Sequence, residues 1–398
     1  MREAEIVIAG AGLAGSIAAT MLGRAGYHVV LVDPRPEYRP EFRCEKIDGR
    51  QMRVLEKTGL ADAVRDVATL DGMSWVARKG RVLEKRRGDQ WGARYETMVN
   101  AIRGEIPDSV EFACGKVANI ETSDELQRVK LADGEEIAAR LAIVANGLNF
   151  GLREAMGITR EIMSPNHSVT IGFDLEPAGG GAFSFPALTC YADRPEARTS
   201  YITLFPIGAA MRANLFLYRD ADDPWLTEFR NAPTETLHAN MPGLRGIIGD
   251  YAVAGRVVTR GIDLYVSRGV EKPGVVLVGD AYSPPCPAAG TGTLKVFTDV
   301  ERLCNVHVPH WFSTPGMAAE KIAAFYADPV KAECEAHCIA KAHALKKVSI
   351  GTGPVAAARR QIKFVGQSCR GALRQLRGTQ PVQAAHDIRP DGGIKTAG

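Results

Sequence analysis

Apolar residues fall in short runs at the amino end of the chain, with helical spacing between the runs. Residues 5–9 form a continuous apolar stretch of strand length after Glu5, and residues 29–32 form a second. Leu13–Arg24 lies between them, rich in small and apolar residues, and Gly26 marks a helix stop. Together they predict a βαβ unit. Helices are predicted over 51–60, Ala61–Val67 and Tyr95–Arg103, the last followed by Pro107. Strands are predicted in 73–83 around Gly80, and over 110–112, 117–122, 129–131 and 141–145, with a turn at Asp133 and Gly134.

From about Ser168 the texture changes. Residues 170–175, 200–205 and 213–218 are β-type runs separated by Gly and Pro, which predicts a mixed or antiparallel sheet. Residues 275–279 read as another buried strand, followed by a Pro- and Gly-rich loop and a helix. Beyond Ala318 the chain reads as mostly helical. In residues 354–377, Val355, Ala358, Ile362, Val365, Cys369, Ala372 and Leu376 recur at helical spacing. Gly366 and Gly371 weaken that helix by about 1 kcal/mol each.

Composition changes this picture little. The chain has 398 residues, 45% hydrophobic and 24% charged, an ordinary globular balance. No apolar run is long enough for a membrane span or a signal peptide, so a cytoplasmic location is expected. Eight scattered cysteines point to thiols rather than a disulfide framework. Cys334, His337 and Cys338 share a helix face but lack a second ligand pair, so no metal is expected. Net charge is +3, yet Lys341 to Arg377 contains nine Lys or Arg and no acid. Nothing there has a nucleic-acid-binding pattern. The basic helix can pack on the body, lie on an anionic membrane, or meet an acidic partner.

The first chemistry-bearing motif is Gly10-Ala11-Gly12-Leu13-Ala14-Gly15, between a strand and a helix. Gly10 permits a tight turn, Gly12 lets backbone approach a pyrophosphate, and Gly15 lets helix and strand pack closely. The helix N-terminus offers free N–H groups and a positive dipole end. Asp33 ends the next strand, eighteen residues after Gly15, where a carboxylate can accept from ribose hydroxyls and repel a 2′-phosphate. The motif fits either NAD or FAD.

A second motif lies far along the chain. Strand 275–279 ends in Gly279-Asp280, and the loop through Pro287, Gly290, Thr291, Gly292 and Thr293 leads into a helix carrying Asp299. This resembles the group A flavoprotein monooxygenases of the para-hydroxybenzoate hydroxylase type, which are related to geranylgeranyl reductases and flavin halogenases. The resemblance covers roughly residues 1–330. It implies that Asp280 holds the ribityl chain, that Pro287 flanks the ring, and that Gly290 to Thr293 donate to its pyrimidine end. Arg43 is implied near the pyrophosphate or ribityl chain. Glu45 and Lys46 read as an ion pair or as groups facing the ring. Three positions depart from the family pattern. Asn146 replaces an aspartate before Gly147 and Arg153, Tyr282-Ser283 replaces Ala-His, and Tyr95-x-x-Met98 stands where Arg-x-x-Leu is usual.

The implied architecture is α/β. A Rossmann-type FAD-binding domain comprises residues 1–70, 92–165 and 268–330. An interleaved mixed or antiparallel β-sheet substrate domain comprises 71–91 and 166–267. A helical carboxyl-terminal region (331–378) and a flexible tail (379–398) follow. Tyr201, Thr203 and Phe205 alternate onto one strand face, in a run that resembles the pocket-wall strand of the family, with Phe185 as a second apolar wall. The implied reaction is hydroxylation of an aromatic or apolar small molecule by O₂ through a flavin C4a-hydroperoxide, with NAD(P)H as reductant. A flavin-dependent reductase or dehydrogenase of an unsaturated substrate, and a non-catalytic flavin-binding regulator, are the alternatives. No Trp-x-Trp pair favours a halogenase. No general base stands out; His28 and His167 read as structural.

Overall fold

The computed structural model describes residues 2–376, apart from the side chains of residues 363, 367, 370, 372 and 374–376. The predicted loose tail lies outside the described residues. β1 (Arg2–Ala9), α1 (Leu13–Arg24) and β2 (Val29–Asp33) form the expected unit. β1 pairs in parallel with β2 on one side and with the Glu136–Val144 strand on the other. Flanked on both edges and covered on both faces, its carboxyl half is buried, which is why it reads as an unbroken apolar run. The seven-stranded sheet runs Glu111–Cys114, β2, β1, Glu136–Val144, Gln127–Leu131, Val117–Glu121. Val275–Leu277 joins it in parallel beside the end of Glu136–Val144, so the late Gly-Asp turn emerges next to the early glycine turn.

A second seven-stranded sheet lies in the middle of the sequence. Its order is Tyr251–Arg268, Thr159–Pro177, Ala210–Leu217, Thr199–Ile207, Leu188–Tyr191, Met73–Arg78, Arg81–Arg87. The last two form the expected hairpin, turning at Lys79 and Gly80, both with positive φ. The first two are far longer than expected. Thr159–Pro177 extends well beyond the predicted 170–175, and Tyr251–Arg268 was not predicted. They pair from Thr159 opposite Arg268 to Pro177 opposite Tyr251, with register shifts on the way, and run unbroken through positions 165/166 and 267/268. Tyr251–Arg268 is an edge strand exposed along much of its length, so it lacks period-two patterning; Arg256, Arg260 and Arg268 lie along it. A small sheet of Lys46–Asp48, Gln90–Gly92 and Thr69–Leu70 bridges the two bodies.

Helices complete the frame. α2 (Gly49–Glu56) opens with a capping box between Asp48 and Gln51. α3 (Tyr95–Arg103) buries Tyr95, Met98, Val99 and Ile102 against the first sheet's helical layer. α4 (Gly292–Arg302) is almost wholly buried. α5 (Pro329–Ile350) starts at the Asp328 cap and packs on α4 through Lys331, Cys334 and Cys338. His337 is exposed, so the Cys334–His337–Cys338 face does not converge.

α6 (Pro354–Leu376) takes the first of its three expected placements, on the body. It packs on Arg81–Arg87, while the described part of its apolar stripe faces outward. Phe364 stacks under Lys79, and Gly371 lies so close to the Leu83 carbonyl that a Cβ would come within 1.9 Å. Val355, Ile362 and Val365 face outward, 65%, 72% and 47% exposed. Periodicity reveals an apolar stripe; it does not specify what covers it.

Candidate active site

At the glycine turn, geometry dictates residue type. Gly10 has φ of +104°, and an added Cβ would lie 2.9 Å from the Ala145 carbonyl. A Cβ on Gly15 would lie 1.8 Å from the Gly10 carbonyl. Gly12 differs, because its missing Cβ would meet only the Tyr38 ring edge, at 3.9 Å. It caps α1 without a side-chain hydrogen bond; the Leu13 N–H meets the Tyr95 hydroxyl, and the next N–H groups of the first turn can face an anion. Ala14 is buried 3.6 Å from where a Gly279 Cβ would lie, so the two ends of the chain touch there. Asp33 does not stand free. Its carboxylate accepts from the Ala11 N–H at 2.8 Å and the Arg35 N–H at 3.0 Å, and so ties the strand end to the turn.

The Gly-Asp end carries more charge. Asp280 pairs with Arg43 at 3.0 Å, and Arg43 reaches Glu41 at 2.9 Å. Burial would raise the Glu41 carboxyl, but Arg43, Tyr38 and Arg260 outweigh it and hold it at about 2. Beneath the turn lies a buried ionic cluster that sequence reading missed apart from Asp299. Asp299 accepts from the Gly279 N–H at 2.9 Å and from Lys295 at 2.7 Å, and Lys331 lies 3.3 Å from its other oxygen. Glu335 pairs with Lys331 and lies 3.4 Å from Lys295. Burial would raise Asp299, but the two ammonium groups hold it below the ordinary carboxylate range. Lys295 and Asp299 at i, i+4 were a readable signal; Lys331 and Glu335 come from a separate helix.

The loop after Asp280 is pinned from α2, where Gln51 donates to the Gly290 carbonyl at 2.8 Å. Gly290 adopts φ of +61°, and nothing lies within 4 Å of where its Cβ would be. Thr291 caps α4, and Thr293 follows in its first turn; their buried hydroxyls find no oxygen or nitrogen partner among the described residues and meet the thiols of Cys338 and Cys44 instead. Such weakly met hydroxyls, the first turn of α1 and open space over Gly12 and Gly290 fit an elongated dinucleotide flavin.

A cavity of about 740 Å³ joins this end to one face of the second sheet. Leu13, Arg43, Asp280, Pro287, Gly290, Gly292 and Thr293 line it, as do Tyr201 and Thr203 of the sheet. The Tyr201 hydroxyl donates to the Ala288 carbonyl, tying the sheet to the loop. Two expected wall residues lie elsewhere. Phe205 is 1% exposed beneath the Lys46 ammonium, and Phe185 is 3% exposed, packed with Trp75 and Phe183. Glu45 and Lys46 both line the cavity but do not pair with each other. Glu45 pairs with Arg212 at 2.7 Å and Arg94 at 3.5 Å, and both arginines also hold Asp174. α5 supplies part of the cavity wall through Lys341, Ala344, Leu345 and Val348, a contribution the sequence did not reveal.

The departures from the family pattern have structural counterparts. Asn146 leaves its Oδ1 buried and unpartnered. Arg153 is fully buried and donates to the carbonyls of Gly147, Asn149 and Ala281, clamping the two loops together. Tyr95 lines the cavity beside the Arg43 guanidinium, and burial pushes its hydroxyl up to about 12.

Fold and site therefore define an oxidoreductase-type dinucleotide site assembled from both ends of a chain, facing a sheet-walled cavity. Residues 3–305 match the family model described as FAD binding domain. The chain belongs to this FAD-binding flavoprotein family and is an FAD-dependent oxidoreductase. It is 27% identical over 316 residues to digeranylgeranylglycerophospholipid reductase 1 of Methanopyrus kandleri, covering 73% of this chain and 76% of that protein. It is 25% identical over 328 residues to 3-demethoxyubiquinol 3-hydroxylase of Escherichia coli, covering 76% and 79%. In fold it is similar to p-nitrophenol 4-monooxygenase PnpA from Pseudomonas putida DLL-E4, with TM-score 0.74, 17% identity, and 93% and 95% covered. Among the described residues no helix is long and apolar enough to cross a membrane.

Proposed function

We propose that this protein hydroxylates an aromatic or otherwise apolar small molecule with O₂, using FAD with NAD(P)H as reductant. The observation that carries this reading is the cavity joining Asp280 and the α4 N-terminus to the sheet face of Tyr201 and Thr203. In this reading Gly10, Gly12, Leu13, Ala14 and Gly15, with Asp33, hold the pyrophosphate and adenosine half of FAD. Arg43 and Asp280 hold the ribityl chain, Pro287 flanks the ring, and Gly290 to Thr293 face its pyrimidine end. Bound FAD supplies the redox and oxygen-activating chemistry. The chain's own groups orient the flavin and substrate and exclude water, and the N–H groups at the start of α4 favour negative charge on the reduced ring.

The 27% identity to a reductase over most of the chain supports a second reading, electron delivery to an alkene. Anaerobically reduced holoprotein mixed rapidly with O₂ separates the two. A transient near-ultraviolet band before oxidised flavin returns, with ¹⁸O from ¹⁸O₂ in the product, supports hydroxylation. Single-phase reoxidation and saturation of an alkene support reduction.

The outward stripe of Val355, Ile362 and Val365, within a segment rich in Lys and Arg, supports peripheral contact with an anionic bilayer.

A further inference from the structure

The cavity's charges do not balance. Five cationic side chains line it: Arg43, Lys46, Arg86, Arg260 and Lys341. Four acids line it: Glu45, Asp48, Glu84 and Asp280. Asp280 is taken by Arg43, and Glu45 by Arg212 and Arg94. Arg260 is taken by Glu41 at 2.8 Å. Asp48 spends its carboxylate on the Gln51 N–H as a helix cap, and Glu84 is partnered. That leaves Lys46, Arg86 and Lys341, none of which has an ion-pair partner within 4.0 Å among the described residues.

Lys46 is the most informative of the three. Its ammonium lies 5.1 Å from the centroid of the Phe205 ring, which backs it from the protein side. No hydrogen bond from Nζ to another described residue is formed. Burial pushes its pKa down to about 8, with Asp71 opposing and Arg86 adding to the fall. Lys46 is half-buried at the cavity wall, and no carboxylate closes on its ammonium within 4.0 Å among the described residues, so its charge is open to a ligand in the cavity. Val76, Thr189, Thr203 and Tyr201 share the cavity, so apolar and hydroxyl surface adjoins the charge. Arg86, exposed, and Lys341 extend the positive potential, which would steer an anion inward.

We propose that the substrate is an organic acid, and that Lys46 anchors its carboxylate while the apolar remainder lies along the sheet face beside the flavin. This deepens the reading above and rests on the same cavity holding FAD and substrate. It makes Lys46 a substrate-binding residue, whereas the buried Glu45 on its neighbouring position serves structure.

The test uses FAD-loaded protein, with FAD content measured first in wild type and variant. Benzoate, phenylacetate and naphthoate, and the matching amides, are titrated while the flavin absorbance is followed. Wild type is expected to bind acids at least about tenfold more tightly than amides, as a charge-assisted contact implies. Lys46→Met should retain FAD, lose that preference and bind amides as before; Lys46→Arg should restore it. Equal affinity for acids and amides in wild type, no binding of any acid, or a preference that survives Lys46→Met would overturn the proposal. So would a Lys46→Met protein in which only the flavin potential moves, since Lys46 would then serve the reduced ring. Wild-type protein that takes up no FAD would overturn the functional reading instead, and acid binding would then be followed by calorimetry.

Discussion

A methyl group at position 15 has no room, because the Gly10 carbonyl already occupies its place. Gly15→Ala should therefore destabilise the fold by about 1–3 kcal/mol, in the range of overpacked sites. It should also release FAD, and thermal melts with a bound-flavin assay check both. Lys46 gives a prediction in pH. Only its protonated form attracts a carboxylate, and burial brings its pKa down to about 8. Acid affinity should stay level below that value and fall as pH rises through it, while amide affinity stays flat. Cys44, Asp48, Asp71 and Arg86 are the titratable groups around it, and a Lys46→Arg protein should lose the step. The glycine roles were legible in the sequence because a positive φ and a close approach each select glycine directly. The isolation of Lys46 was not legible. It depends on Glu45 being taken by Arg212, 167 residues away, which no local pattern records. Phe205 misled for a related reason: strand alternation gives a face, but here the face turns from cavity to core at its end.

At the scale of elements, α4 and α5 are joined under the Gly-Asp turn by four charges, the buried Lys295, Asp299 and Lys331 and the half-buried Glu335. Lys331→Met leaves an excess acid in that site and should cost about 3–5 kcal/mol. Lys331→Met combined with Glu335→Met leaves a neutral pair and should be more stable than the single variant. Denaturant melts of both would show it, and a double variant weaker than the single would contradict the cluster's role. α6 gives a second prediction. Full-length protein should float with phosphatidylcholine–phosphatidylglycerol vesicles more than with phosphatidylcholine alone, and Ile362→Asp with Val365→Asp should abolish it. α3, with one buried and regular face, and α1, buried nearly all round but bounded by the glycine turn and Gly26, agree with the sequence to the residue. Thr159–Pro177 and Tyr251–Arg268 were not. Their outer halves are exposed and bulged, so hydrophobic period carries no trace of them.

For the molecule as a whole, the parallel strands of the first sheet bring residues 10–15 and 279–280 side by side, and the second sheet closes the space above them. The family match and the two motifs agree on FAD, whereas the carboxyl-terminal helices contribute to the cavity without a motif that announces them. Asp280→Ala should weaken FAD retention while leaving Arg43 paired with Glu41, so the fold should survive the change. The most direct test of the two-ended site is FAD titration of the full chain by calorimetry, run for wild type, Gly12→Asp and Asp280→Ala. One FAD per chain, with affinity reduced independently by a change at either end, is the predicted result. A chain that takes up no FAD, or one whose affinity is untouched by both changes, would contradict it.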